Sequence, residues 1–138
     1  VNIKQLSQRE QEDAVNEIRI LASVEHPHVV RYCEAFVERG NLYIIMEFAA
    51  NGDLHQRIKR MRAKKDHFSE EQIWSFFLQI TKGLKALHDR SILHRDMKPK
   101  NIFLGEEDRV QLGDLGCSKL LKVGLARTQI GTPYYMSP

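Results

Sequence analysis

His94-Arg95-Asp96-Met97-Lys98-Pro99-Lys100-Asn101 runs directly into Ile102-Phe103-Leu104, the pentapeptide Gly105-Glu106-Glu107-Asp108-Arg109, and then Val110-Gln111-Leu112-Gly113-Asp114. Two short apolar runs around a turn-rich segment read as a hairpin. Pairing its strands brings Asn101, just before the first, close to Gly113 and Asp114, just after the second. Asn101 and Asp114 both offer oxygen, the ligand type a hard cation such as Mg²⁺ prefers, and Mg²⁺ takes few protein ligands beside substrate phosphates. Asp96 stands five residues before Asn101, with Lys98 between them. A carboxylate that can accept a proton, an ammonium that can steady a phosphate and two metal ligands are the parts phosphoryl transfer needs. Its transition state is stabilised by positioning and charge rather than by covalent chemistry.

Working outward, Ser69-Glu70-Glu71-Gln72 is a capping box, and it opens a helix with Ile73, Phe76, Phe77, Ile80, Leu84 and Leu87 on one face. Ser7-Gln8-Arg9-Glu10 is a second such box, ahead of an apolar face of Ala14, Ile18, Leu21 and Ala22. His26-Pro27 is expected to end that helix. Residues 29–37 and 42–48, rich in β-branched and aromatic side chains, read as a hairpin turning at Glu38-Arg39-Gly40-Asn41. Asn51-Gly52-Asp53 is a turn that starts a short polar helix. Gly113 to Pro138 has weak periodicity and reads as a long ordered or switchable loop. The order gives an α+β fold, a small sheet-rich part before Asn51 and a helical part after it.

Composition sets the boundaries of function. Over 138 residues, 21 Lys and Arg face 18 Asp and Glu, a balance of +3 that is too even for a nucleic-acid or anionic-membrane binder. An apolar fraction of 42% and a charged fraction of 28% argue for a globular chain. The longest apolar stretch, Leu42 to Met46, is far too short to span a bilayer. Two cysteines, Cys33 and Cys117, make no disulfide framework, so an intracellular, cytoplasmic setting is expected. The chain has no initiator Met and its final Pro138 ends no recognisable element, as expected of a piece of a longer protein.

These motifs resemble the protein kinases. HRDMKPKN matches the catalytic loop H-R-D-L-x-x-x-N with Met for Leu, GDLGCSK stands where D-F-G should follow, and GTPYYMSP is similar to the run toward A-P-E. LARTQIGTPYYMSP with NIFL looks most like the NIMA-related serine/threonine kinases. The resemblance implies a partial N-lobe over residues 1–48, comprising the αC helix and the hairpin of the family's fourth and fifth strands up to the start of the hinge. Residues 49–138 would be the N-terminal half of the helical C-lobe with its catalytic and activation loops, ending before the A-P-E glutamate.

It also implies the site. Asp96 would be the catalytic base, Lys98 the contact to the transferring phosphate, Asn101 and Asp114 the Mg²⁺ ligands, and Thr132 the brace on Asp96 and Lys98. Glu17 would be the αC glutamate, Met46 the gatekeeper, the backbone of Glu47 and Ala49 the adenine contacts, Phe103 the floor beneath adenine and Asp53 the residue near the ribose. Arg95 would pair with a phosphate on Thr128. The cofactors implied are ATP and Mg²⁺, and the partners are protein substrates with Ser or Thr acceptors. Family analogy adds cytoskeletal or regulatory partners at microtubule, centrosome or cilium.

Two departures stand out. Leu115 replaces the Phe of D-F-G, an apolar plug of smaller area expected to pack with Leu21, Tyr32 and His94. No G-x-G-x-x-G occurs, and Lys4, 13 residues before Glu17, is too close to be the family's strand lysine. The 138 residues alone are therefore expected to be inactive. Singly, Asp96, Asn101 and Asp114 are ordinary turn formers, and Cys117 an ordinary buried thiol. The competing function is a pseudokinase that binds partners as a scaffold.

Overall fold

The computed structural model describes residues 2, 7–115, 119–120 and 132–136, without the side chains of residues 9, 10, 13, 17, 21, 119 and 120. Helix α1 spans Gln8–Ser23. The Gln11 amide donates to the Ser7 carbonyl at 3.0 Å, so Ser7 takes the cap position that its sequence context suggests. The buried residues here are Ile20 and Val24, while Ala14 and Ile18 are half-buried and Ala22 is exposed. Among the described side chains the buried ones are thus offset from the expected stripe. The helix also stops three residues short of His26, where the Ser23 hydroxyl donates to the Ile20 carbonyl at 2.8 Å and competes with further winding.

Strands β1 (Tyr32–Glu38) and β2 (Asn41–Met46) form an antiparallel hairpin with Glu38 opposite Asn41. Its two-residue turn, Arg39-Gly40, has both φ angles positive, 51° and 81°. That geometry follows the right-handed twist of the strands. Phe36 and Tyr43 face each other across the pair and stack at 5.2 Å.

Helix α2 (Leu54–Ala63) starts on Asp53, whose carboxylate accepts from the Gln56 amide at 2.8 Å. Helix α3 (Glu70–His88) carries both halves of the expected capping box, at 3.1 and 3.2 Å. Its buried residues are Phe76, Gly83, Ala86 and Leu87. Ile73 and Phe77, expected on that face, are 54% and 56% exposed. The reason is at Gly83, where an added Cβ would lie 2.5 Å from the His28 carbonyl. A missing side chain, not a large one, sets the closest approach and so the rotation of the helix.

Strands β4 (Ile102–Leu104) and β5 (Val110–Leu112) pair as the sequence requires, with Ile102 opposite Leu112. Each gains a second neighbour. Asn51–Asp53 lies along β4, through Asn51 N–H to Leu104 at 3.0 Å and Leu104 N–H to Gly52 at 2.8 Å. His28–Val30 lies along β5, through Val30 N–H to Leu112 at 2.8 Å and Leu112 N–H to His28 at 2.9 Å. This ribbon buries Ile102, Leu104, Val110 and Leu112 against Phe76 and Leu87 of α3, with Ile20, Val29 and Leu115 in the same cluster. Beyond it, the expected loop contains a strand, β6 (Lys119–Leu120), paired with β3 (Ile92–Leu93), and a 3-10 turn at Pro133–Tyr135. None of the helices among the described residues is long and apolar enough to cross a membrane.

Candidate active site

The segment between β3 and β4 holds the densest polar cluster described. Asp96 is 7% exposed. Its carboxylate accepts from Lys98 Nζ at 2.5 Å, from Thr132 Oγ1 at 2.6 Å and from Asn101 Nδ2 at 3.1 Å. Lys98 Nζ also donates to Thr132 Oγ1 at 2.9 Å, closing a triangle. Asn101 Nδ2 donates to the Asp96 backbone carbonyl at 2.9 Å as well. With the amide nitrogen committed to Asp96, Oδ1 is the Asn101 atom that can meet a cation. Burial pushes the Asp96 carboxyl up, but bonds from Lys98 and Thr132, the Lys98 charge and the Asn101 amide together outweigh it and hold the group at about 2.

His94 ties this cluster to the end of the hairpin. It is almost fully buried, its Nε2–H donates to the Gly113 carbonyl at 3.0 Å, and its Nδ1 accepts from the Asp96 amide at 3.4 Å. One ring nitrogen donating while the other accepts is the neutral imidazole. Burial lowers its pKa, against the raising effect of the Gly113 bond. The Gly113 amide donates to Asn101 O at 3.0 Å, so Asn101 and Asp114 flank one point of the ribbon. Asp114 is exposed and adopts φ 55°, a conformation aspartate tolerates better than most residues.

Asn101 and Asp114 also line a cleft of about 800 Å³ with Val30, Met46, Ala49 and Phe103. That volume suits a small-molecule site. Gly113 shapes its floor, because a Cβ there would come within 2.6 Å of the Phe103 ring and 3.0 Å of Val30. At the rim, the Glu47 amide donates to Arg31 O at 2.8 Å, which leaves the Glu47 carbonyl as an acceptor. The Ala49 carbonyl accepts from Gly52 N–H at 3.3 Å. Asp53 lines the cleft too, yet both its oxygens are held by Gln56 at 2.8 Å.

The oxygen donors fit a divalent cation. Among the described residues no three His, Cys, Asp or Glu side chains converge as a closed metal cage. An Asn–Asp pair open to the cleft is instead the sparse hard-oxygen set that Mg²⁺ shares with phosphate oxygens.

The structure therefore brings together Asp96, Lys98, Asn101 and Thr132, and gathers Met46, Glu47, Ala49, Asp53, Phe103 and Asp114 around the adjoining cleft. Glu17 lies on α1 but its side chain is outside the described residues, as are all of Thr128 and the side chain of Leu21, expected beside Leu115. Arg95 is half-buried and has φ 64°. Leu115 is buried in the core cluster against which Tyr32 packs. Sequence reasoning missed Gln111, a buried amide on β5 that donates from Nε2 to the Glu47 carboxylate at 3.0 Å. A polar residue inside an apolar strand run was the available signal.

The family model for the protein kinase domain matches residues 1–138. The chain belongs to the protein kinase family. Among similar kinases, mouse Nek1 is 47% identical over 140 residues, which cover 100% of this chain and 12% of Nek1. Mouse Nek5 is 49% identical over 140 residues, 99% of this chain and 22% of that relative. A probable nek2 kinase of Dictyostelium discoideum is 44% identical over 139 residues, 96% of this chain and 33% of its own length. This kinase chain thus spans a third or less of these relatives, all of them named serine/threonine-protein kinases.

Proposed function

We propose that this chain carries the phosphoryl-transfer centre of a NIMA-related serine/threonine kinase, acting from Mg-ATP on a protein hydroxyl. The observation that carries the reading is the Lys98–Asp96–Thr132 triangle with Asn101 bonded to the same carboxylate. In this reading residues 1–48 belong to the N-lobe, with α1 as the αC helix, and residues 49–138 to the C-lobe. Met46, the Glu47 carbonyl, the Ala49 amide and Phe103 receive adenine, and Asp53 stands near the ribose. Asn101 Oδ1 and Asp114 hold the metal, which supplies charge to the phosphate oxygens. Arg95 receives a phosphate on Thr128, and Glu17 is the αC carboxylate. Partners at the cytoskeleton and a microtubule, centrosome or cilium location follow by analogy alone.

Asp96 orients the acceptor hydroxyl. A carboxylate held at about 2 is a weak base, far from the operating pH at which proton abstraction is most effective. Phosphoryl transfer through a loose transition state asks little of the nucleophile, so orientation suffices. Whatever draws Lys98 off Asp96 also removes the leading lowering contribution and makes the carboxylate more basic.

The test is transfer of labelled phosphate from Mg-ATP to serine and threonine peptides by the complete polypeptide. Activity lost in both Asp96→Asn and Asp114→Asn supports the reading. Nucleotide binding without any transfer in the unaltered protein overturns it in favour of a scaffold. The 138 residues alone, with no glycine-rich loop in their sequence, are expected to be silent in this assay.

A further inference from the structure

The segment at residues 47–50 joins the β1–β2 hairpin to the turn before α2, and its side chains do little to hold it. Phe48 is 86% exposed, and Ala49 and Ala50 carry only a methyl group each. Glu47 differs. Its carboxylate accepts from Gln111 Nε2 at 3.0 Å and lies 3.6 Å from the Arg109 guanidinium. Both partners are themselves fixed. Gln111 is 2% exposed on β5, opposite Phe103, and Arg109 donates from Nε to the Pro27 carbonyl at 3.0 Å.

Packing does not duplicate this tether. Open cavities of about 590 and 420 Å³ adjoin it, and Glu47 and Arg109 line both. Beside the backbone bonds from Glu47 N–H to Arg31 and from Gly52 N–H to Ala49, a hydrogen bond from a buried amide to a carboxylate is the side-chain restraint on this segment, and charge-assisted bonds are the stronger kind.

We propose that Gln111 and Arg109 clamp the Glu47 side chain and so fix the backbone at residues 47–49 in the position from which it reads an adenine ring. The inference rests on the nucleotide-binding reading above. Gln111 and Arg109 are positioning residues: they touch Glu47, and neither lines the cleft itself. A residue that only satisfied a buried amide would matter for stability and leave nucleotide affinity alone.

The experiment measures binding of a fluorescent ATP analogue with Mg²⁺ to the complete polypeptide, beside thermal melting of each variant. Gln111→Glu sets two carboxylates against each other and is expected to raise Kd roughly tenfold. The swapped pair, Glu47→Gln with Gln111→Glu, restores one amide–carboxylate bond and should return Kd to within about twofold of the unaltered protein. Arg109→Ala, at an exposed position, should weaken binding about two- to threefold at low ionic strength and not at about 1 M salt. Equal Kd for Gln111→Glu and the unaltered protein overturns the clamp, as does a swapped pair that binds no better than Gln111→Glu, or an Arg109→Ala variant without a salt-dependent loss. An unaltered protein that binds no nucleotide overturns the functional reading itself, which separates the two failures.

Discussion

His94 donates its Nε2–H to the Gly113 carbonyl at 3.0 Å, joining the loop that presents Asp96 to the end of the strand that presents Asp114. Because the other ring nitrogen accepts from the Asp96 amide, one imidazole sets the spacing between two carboxylates that the fold delivers from different directions. Replacing it with His94→Leu keeps the volume but leaves a buried carbonyl and a buried amide without partners. The expected cost is about 1–3 kcal/mol, read as a lower urea midpoint with an unchanged slope. Phosphate transfer should fall further than stability does, because both carboxylates lose their register. Equal losses in His94→Leu and in a core variant such as Leu87→Ala would assign His94 to packing alone.

Thr132 belongs to the site through its hydroxyl, which accepts from Lys98 and donates to Asp96. Thr132→Val preserves shape and removes both bonds. Expected is a drop in kcat of about 10²-fold with little change in KM for ATP, since the cleft residues are untouched. Thr132→Ser should recover most of the rate. Steady-state kinetics on the three proteins checks this, and a Thr132→Val enzyme with normal kcat would remove the triangle from the chemistry.

The parts of this fold legible in the sequence are those whose signals are local. The strands β4 and β5 were readable to the residue, because two short, mostly apolar runs flank the turn-rich Gly105–Arg109. The α3 start was readable because Ser69 and Gln72 meet within one turn. Illegible were contacts between distant segments. Nothing near Gln111 announces Glu47, 64 residues away, and nothing near Val29 announces that it pairs with Leu112. The rotation of α3 escaped for another reason. Periodicity weighs large apolar residues such as Ile73 and Phe77, whereas the close approach is made by Gly83, which carries no hydrophobic signal. At the site, spacing alone put Asn101 and Asp114 at matching ends of the hairpin, and the structure sets Asp96 and Lys98 beside Asn101. The His94 strut depends on which ring nitrogen donates, and only geometry shows that.

Gly113 supplies a steric prediction. With Gly113→Ala the new methyl would meet the Phe103 ring at 2.6 Å and Val30 at 3.0 Å, at the floor of the cleft. Overpacking of this kind costs about 1–3 kcal/mol. The displaced ring lines the cleft, so nucleotide affinity should drop together with stability. Phe103→Leu in the same background removes the opposing atoms and should recover the melting temperature. Failure of the double variant to recover would place the strain elsewhere.

Acid should destabilise the protein in two separate windows. The His94 pKa is lowered by burial, so the unfolded chain takes up its proton first and stability falls once pH drops below the ordinary histidine value of about 6.5. His26, also lowered by burial and by neighbouring His28, Arg90 and Lys82, adds to the same slope. The Asp96 carboxyl, held at about 2, contributes stability that is complete above the unfolded value near 3.8 and is lost as pH falls through about 2. Urea midpoints taken from pH 8 to pH 3 should therefore decline in the upper window first. In His94→Leu the decline between pH 7 and 5 should shrink to the part owed to His26, while the loss below pH 4 persists. An upper slope unchanged by that substitution would mean that the imidazole is not held neutral between Asp96 and Gly113.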